Sequence, residues 1–251
     1  MKKIFIYLMF FVLIFPNNSN SKELKSPSWT GMYAGINIGQ STGDADIDYS
    51  QKVNFCGANN FQSNSGCSFS KDVNNEIDSL FTGANFTILQ DKGAFVFGIQ
   101  ADLDYNLDSK DRFSEVISGY GDELIVETET VATSSFKMLF GIPHDNFLGY
   151  VNAGPAVALI DTTTTQNAIG YIPKTIENYS FVPGYSLGLG AKYKVQENWL
   201  LGAEYSYTDL AESRKESNLS FCCGGIAYPD SITKSNYDYS SLKLSLSYKF
   251  N

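Results

Sequence analysis

The chain has 251 residues, of which 43% are hydrophobic, and its 27 acidic residues outnumber its 18 lysines and arginines, giving a formal net charge of −9. A chain this acidic is repelled by nucleic-acid phosphates, so we expect no nucleic-acid partner. The length suits a single domain, and no linker or low-complexity tract divides it.

The N-terminal segment has the pattern of a secretory signal peptide. Two lysines precede the apolar run Ile4 to Phe15, and the small residue Ser21 marks the expected cleavage point. The run is shorter than the roughly 20 apolar residues that a transmembrane helix needs. We therefore expect residues 1–21 to be a signal peptide and residues 22–251 to form the mature domain, with 16 basic against 27 acidic residues.

Eight later segments alternate apolar and polar residues, which is typical of strands that face two different environments. Each has about the 9 to 11 residues, or slightly more, of a tilted transmembrane strand. No later apolar run could form a membrane helix, so insertion into a membrane must use strands. The predicted strands are Trp29 to Thr42, Ser79 to Gln90, Ala94 to Tyr105, Ser134 to Ile142, Leu148 to Ile160, Val182 to Val195, Trp199 to Asp209 and Ser240 to Phe250.

The connections between these strands alternate between long and short along the chain. Three are tight turns rich in Pro, Gly, Asn and Asp, at residues 90–93, 143–146 and 195–198. The other four are long, at residues 43–78, 106–133, 161–181 and 210–239. Short turns on one rim and long loops on the other are typical of outer-membrane barrels, whose long loops are extracellular.

The alternation also assigns each side chain to a face. In the third strand Phe95, Phe97 and Ile99 share one face, and Asp102 and Asp104 share the other. The charged residues on the inward faces have mixed signs that could pair inside the barrel; they include Asp102, Asp104, Lys137, Lys192, Glu204, Lys243 and Lys249. Aromatic residues near the short-turn rim suit an interfacial girdle: Tyr193, Trp199, Tyr248 and Phe250.

The sequence therefore predicts an all-β, eight-stranded, antiparallel up-and-down transmembrane β-barrel with four long external loops, in the bacterial outer membrane. The alternative is a secreted lipocalin-like barrel, whose apolar side faces inward and holds a small apolar ligand. Inward-facing glycines and charges, and long loops on one rim only, favour the membrane barrel.

The first strand, WTGMYAGINIG from Trp29 to Gly39, resembles the W-x-G-x-Y-x-G-x-x-x-G opening strand of small alphaproteobacterial outer-membrane barrels. These are the opacity-like and hemin-binding surface proteins, which share the OmpA-type barrel. The resemblance implies that Tyr248 and Phe250 form an insertion signal for the outer-membrane assembly machinery, although Asn251 follows them here. It also implies hemin as an option, but no loop histidine or Cys-Pro pair is present, so Tyr or Met would have to ligate the iron.

Nothing in the sequence indicates catalysis, and we expect neither an enzyme nor a cofactor. The single histidine, His144, lies in a short turn, without a Ser-His-Asp or metal-ligand arrangement around it. A general diffusion pore is also not expected, because an eight-stranded barrel is only wide enough for its own side chains.

Two features of the long loops indicate contacts with small or large partners. Asp44, Asp46 and Asp48 share one face of an extended segment and could bind Ca²⁺, the alternative being a hydrated acidic loop base. The second loop is acidic and projects into solvent.

We expect the loops to serve adhesion, ligand or host contact, or envelope integrity. The expected partners are outer-membrane lipid and lipopolysaccharide, the assembly machinery, and a host or environmental surface ligand.

All four cysteines, Cys56, Cys67, Cys222 and Cys223, lie in predicted long loops. An even count in an exported chain indicates disulfides. A bridge between Cys222 and Cys223 would be strained, because neighbouring Cα atoms are about 3.8 Å apart, below the usual disulfide range of about 4.4 to 6.8 Å. Two bridges between the first and fourth loops, one local bridge within each loop, and free thiols all remain open.

Overall fold

The computed structural model describes residues 28–53, 67–108, 110–116, 123–167, 174–217 and 231–250. Every regular element in these ranges is a β-strand. This part of the chain contains no helix with the length and apolarity needed to cross a bilayer. The predicted signal peptide lies outside the described residues.

The strands are long and follow one another in an antiparallel meander. β4 continues the line of β3 after a short break, so eight positions make up the wall of the barrel. The strands are β1 (Gly31–Val53), β2 (Cys67–Asp91), β3 (Val96–Asn106), β4 (Lys110–Val116), β5 (Glu123–His144), β6 (Phe147–Asn167), β7 (Lys174–Gln196), β8 (Trp199–Ser217) and β9 (Ser231–Phe250).

The sheet closes on itself because β1 pairs with both β2 and β9, and β3 pairs with β5. The pairing register also gives the tilt. Stepping from Ile36 of β1 to its paired residue on each neighbouring strand in turn, through β2, β3 and β5, ends at Val157 on β6. Stepping the other way around the barrel, through β9, β8 and β7, ends at Phe147, which lies ten residues earlier on β6. A closed barrel with this stagger has strands tilted by roughly 35–45°.

The two faces of the wall have opposite chemistry, as the sequence predicts. Outward side chains are large, apolar and exposed, with exposed fractions of 68% for Ile36 and 72% for Met138. Many inward side chains are polar and buried, with exposed fractions of 3% for Gln100 and 1% for Lys137. This is the reverse of a lipocalin, so the structure does not support that alternative.

The short-turn rim carries the predicted tight turns and the aromatic girdle. Gly93 and Asp145 adopt positive φ angles of 85° and 52° in the first two of these turns, which glycine and aspartate tolerate better than most residues. Above the turns, aromatic rings touch one another on the outer surface. The ring centroids are 5.1 Å apart for Trp199 and Tyr248, and 5.7 Å apart for Tyr248 and Phe250.

The predicted extent of the long loops is wrong. β2 has 25 residues, twice the predicted segment, and every other strand reaching the long-loop rim except β3 also extends well beyond its prediction. The reason is that strand pairing continues above the apolar belt, where acidic residues such as Asp44, Asp46 and Asp48 take the place of apolar ones on the outward face. Without a continuous outward apolar stripe, the sequence there does not mark a membrane-spanning strand.

The wall is interrupted at two places on the long-loop side, which divides this part into two lobes. The ladder between β7 and β8 ends at Gly184 and Leu210, and the ladder between β2 and β3 ends at Phe81 and Asn106. Above these points, β8, β9, β1 and β2 form one lobe, and β4, β5, β6 and β7 form the other. We call the gap between residues 174–183 of β7 and residues 211–217 of β8 the β7–β8 seam.

Candidate functional site

A layer of buried ion pairs crosses the lumen near the middle of the barrel. Lys137 of β5 lies 2.5 Å from Glu204 Oε1 of β8 and 3.0 Å from Asp102 Oδ2 of β3, measured from Nζ. Lys243 of β9 lies 3.1 Å from Asp102 Oδ1 and 3.4 Å from Asp104 Oδ2. We call these five side chains the ion-pair layer, and they confirm the prediction for five of the seven inward charges. The other two, Lys192 and Lys249, lie over the rings of Tyr150 and Tyr33.

Neutral side chains complete the layer around the second oxygen of Glu204. Glu204 Oε2 accepts hydrogen bonds from Tyr150 Oη at 2.9 Å, Asn152 Nδ2 at 2.9 Å and Gln100 Nε2 at 3.1 Å. Asn37 of β1 donates to Asp104 on the other side of the lumen. Buried carboxylates need such partners, because an unpaired buried charge is strongly unfavourable.

An apolar cluster fills the lumen between the ion-pair layer and the short turns. It contains Trp29, Tyr33, Leu89, Val96, Leu139, Leu148, Tyr150 and Leu200, all nearly inaccessible. Gly190 makes room for the Tyr150 ring, since a Cβ at this position would lie 2.6 Å from the ring carbon Cζ. The ion-pair layer and this cluster together occupy the lumen with side chains from β1, β2, β3, β5, β6, β8 and β9.

A small cavity of about 50 Å³ lies on the long-loop side of the ion-pair layer. Asp104, Lys137 and Lys243 line it together with many hydroxyl groups, which include those of Ser41, Ser79, Thr133, Ser135, Ser186, Ser206, Thr208 and Ser241. Beyond it, an apolar cluster joins the two lobes. Its members are Ala158, Ile160 and Val182 on one lobe and Leu210 and Tyr237 on the other.

Carboxylates face outward where the apolar belt ends at the long-loop side. Asp209, Asp238 and Asp44 occupy directly paired positions on β8, β9 and β1. Tyr185 Oη donates to Asp209 at 2.9 Å, and Tyr207 Oη donates to Asp238 at 3.3 Å.

The other lobe repeats this pattern with Glu129, Asp161 and Tyr179 in paired positions on β5, β6 and β7. The negative charge of Asp161 and its hydrogen bond raise the pKa of Tyr179. The outer surface above the belt is therefore acidic on both lobes.

The structure places the predicted calcium ligands on β1, where Asp44, Asp46 and Asp48 are exposed on the outward face. No three acidic, histidine or cysteine side chains in the described ranges come close enough together to hold a metal ion. Calcium binding at these aspartates stays a prediction.

Other predicted residues lie at the two rims. His144 is exposed at the end of β5. Tyr248 and Phe250 are on the outward face of β9, and their role as an insertion signal stays a prediction. Cys56, Cys222 and Cys223 lie outside the described residues, and β2 begins at Cys67.

The sequence reasoning missed Tyr150 and Asn152 as partners of Glu204. Their signal was present, because both alternate with the outward Val151 and Ala153 on β6. Tyrosine occurs on both faces of this barrel, so its presence alone did not distinguish a lumen position from a membrane-facing one.

Comparisons with known proteins agree with this architecture. Residues 19–250 match the family model described as the outer membrane protein beta-barrel domain. The 31 kDa outer-membrane immunogenic proteins of Brucella melitensis biotype 1 and Brucella suis biovar 1 are each 24% identical over 253 residues, covering 94% of this chain and 89% of the relative. The crystal structure of OprG from Pseudomonas aeruginosa has a TM-score of 0.51 at 11% identity, over 88% of this chain and 97% of that one. At this identity, the likeness to OprG shows the fold alone.

Proposed function

Because the chain belongs to the outer-membrane β-barrel family, we propose that it is a surface protein that binds partners through its two lobes and loops, and that it is not a general diffusion pore. Adhesion, ligand or host contact, and a contribution to envelope integrity all depend on this outer part. The single observation that carries the proposal is the occupied lumen.

The ion-pair layer and the apolar cluster on its short-turn side occupy the lumen with buried side chains, and this supports a barrel without a path of substrate size. Lys137, Asp102 and Glu204 are almost completely buried and bonded to one another. Opening the lumen would separate these buried charges from their ionic partners, at a cost of several kcal/mol per ion. Chemistry available to a partner therefore lies on the long-loop side.

The outward carboxylates indicate the charge of that partner. Asp44, Asp209, Asp238, Asp161 and Glu129 give the outer surface an acidic character, which favours basic partners and repels anionic ones. Contact with lipopolysaccharide phosphates would then depend on divalent cations. The Brucella relatives are named immunogenic, and we propose that the outer part of this chain is likewise accessible at the cell surface.

The test replaces the outermost segments with short Gly-Ser turns. Residues 54–66, 117–122, 168–173 and 218–230 are replaced together in one variant, and residues 195–198 of the opposite rim in a matched control. Cells that display the wild-type protein and the control should adhere to a host or environmental surface, whereas cells with the outer segments replaced should not. Equal adhesion by all three proteins, with equal amounts in the outer membrane, would contradict the proposal.

A further inference from the structure

The β7–β8 seam exposes a row of backbone hydrogen-bonding groups. The amide of Lys194 donates to the carbonyl of Asn146, on the β6 side of β7. The direction of these groups alternates along a strand, and the register between β6 and β7 is unbroken from Tyr193 to Lys174. The odd-numbered residues of β7 therefore direct their N–H and C=O groups toward β8.

Above Gly184 these groups have no ladder partner on β8 within the described ranges. Pro183 has no N–H to donate, which helps to explain why the ladder ends here. The next seam-facing amides belong to Phe181, Tyr179, Glu177 and Thr175. β7 is paired on one side only along this stretch, as an edge strand is.

This edge is less protected than the facing edge of β8 and than the edge of β4. Edge strands usually avoid unwanted pairing through charge, bulges or short length. The stretch of β8 at residues 211–217 is short and highly charged, and it follows a bulge after Leu210. β4 is a seven-residue strand with four charged residues. Residues 174–183 of β7 contain only Lys174 and Glu177 as charges, among residues that favour strands.

The two sides of the seam differ in polarity. The apolar cluster of Ile160, Val182 and Leu210 lies on the inward side at its base. Carboxylates lie on the outward side: Glu177 is exposed on β7 itself, and Asp161 occupies the position paired with Tyr179. A strand placed in the seam would thus have its inward face above a buried apolar cluster and its outward face near negative charge.

We infer that residues 175–183 of β7 bind an extended polypeptide segment as an added strand, in which apolar residues alternate with basic ones. The backbone of the segment pairs with the seam-facing groups of β7, its apolar side chains turn inward above the buried cluster, and its Lys or Arg side chains lie outward near Glu177 and Asp161. A second folded barrel would not enter between two strands of one wall, whereas a single extended segment can pair with the edge of one strand. This inference rests on the proposed function and names the place and the class of partner.

The experiment measures binding of synthetic peptides of about ten residues to the refolded full mature protein by fluorescence anisotropy. The probe alternates lysine with valine or tyrosine. One control has the same composition with all lysines in one block, and another carries N-methyl groups on alternate amides. We expect the probe to bind at least tenfold more tightly than both controls, because only it offers the alternation and the backbone donors together.

Two variants at position 181 distinguish the contribution of the backbone N–H to peptide binding from that of the side chain. Phe181→Pro removes a seam-facing N–H, and Phe181→Ala keeps it while removing an outward ring that is 77% exposed. We expect the proline variant to lose at least tenfold in affinity and the alanine variant to lose clearly less. Glu177→Lys should also weaken binding, whereas Glu197→Lys on the short-turn rim should not.

Each other outcome overturns the inference. Equal binding of the alternating and blocked peptides would mean attraction by charge alone. If the protein self-associated with increasing concentration and Phe181→Pro abolished this, the edge of β7 would bind a second copy of the chain and not a peptide. Failure of every peptide to bind, while adhesion still depends on the outer segments, would refute strand addition and leave the proposed function standing.

Discussion

Lys137 and Glu204 meet inside the lumen although β6 and β7 separate their strands in the wall, with Nζ 2.5 Å from Oε1 and both side chains at most 4% exposed. Replacing Glu204 with Gln should destabilise the barrel by about 3 kcal/mol, because Lys137 loses its shortest ionic contact in a buried site and keeps only Asp102. The temperature at which the folded, fast-migrating gel band converts to the unfolded band measures the effect.

A double change provides the internal control. Lys137→Met alone and together with Glu204→Gln completes a double-mutant cycle, in which the double change should cost less than the sum of the single changes because both remove the same ion pair. The exposed pair of Lys234 and Glu212, 3.4 Å apart, offers a matched comparison, and Glu212→Gln should cost less than about 1 kcal/mol. Equal losses of stability at the buried and the exposed pair would contradict the prediction that burial makes the ion-pair layer more stabilising than a surface pair.

Two arginine substitutions on β1 test the depth of the apolar belt. Ile36→Arg puts a charge on the lipid face near the middle of the membrane, and should cost about 2–4 kcal/mol. Thr42→Arg lies on the same face six residues further toward the acidic surface at Asp44, and should cost less than about 1 kcal/mol. Urea titration of the protein in lipid vesicles measures both. If Ile36→Arg were harmless, the outward face would not contact lipid.

Much of the transmembrane part could be predicted from the sequence, because lipid and lumen impose opposite chemistry on alternate residues. Asp102, Lys137 and Glu204 were assigned to the lumen for this reason. The lobes could not be predicted, since acidic residues such as Asp44 take the place of apolar ones on the outward face there, and runs such as Thr162 to Thr165 show no alternation. Which inward charges pair depends on the stagger around the barrel, and this is set by all the ladders together.

The occupied lumen predicts very low permeability. Liposomes containing the purified protein should not swell in isotonic solutions of small sugars beyond the rate of empty liposomes. Glu204→Gln removes charge but little volume and should remain closed. A general diffusion porin serves as the positive control in the same lipid. Swelling by the wild-type protein at a comparable rate would show that the side chains of the ion-pair layer do not block passage.

Protease accessibility tests the orientation of the two rims. Trypsin added to intact cells should cut between residues 106 and 133, where Lys110 and Arg112 of β4 lie on the long-loop side. It should leave the turn at residues 90–93 intact, although Lys92 is exposed there. After permeabilisation of the outer membrane, cleavage at Lys92 becomes the control for its intrinsic susceptibility. Cleavage at Lys92 alone in intact cells would invert the orientation.

The four cysteines give a prediction that the strand pairing makes more specific. β1 pairs with β2 as far as Val53 and Cys67, and with β9 as far as Gln51 and Ser231. The segments 54–66 and 218–230 therefore leave the same lobe from neighbouring strands, which favours bridges between them.

Non-reducing peptide mapping of protein taken from the outer membrane decides between the patterns. We expect a single fragment that joins both segments, and each unstrained bridge should add about 2–4 kcal/mol of stability. Reduction should lower the gel conversion temperature accordingly, and replacing Cys56 and Cys67 with serine should give the same loss. Two separate fragments, each bridged internally, would instead establish the local pattern, and complete labelling by a thiol reagent without reduction would establish free thiols.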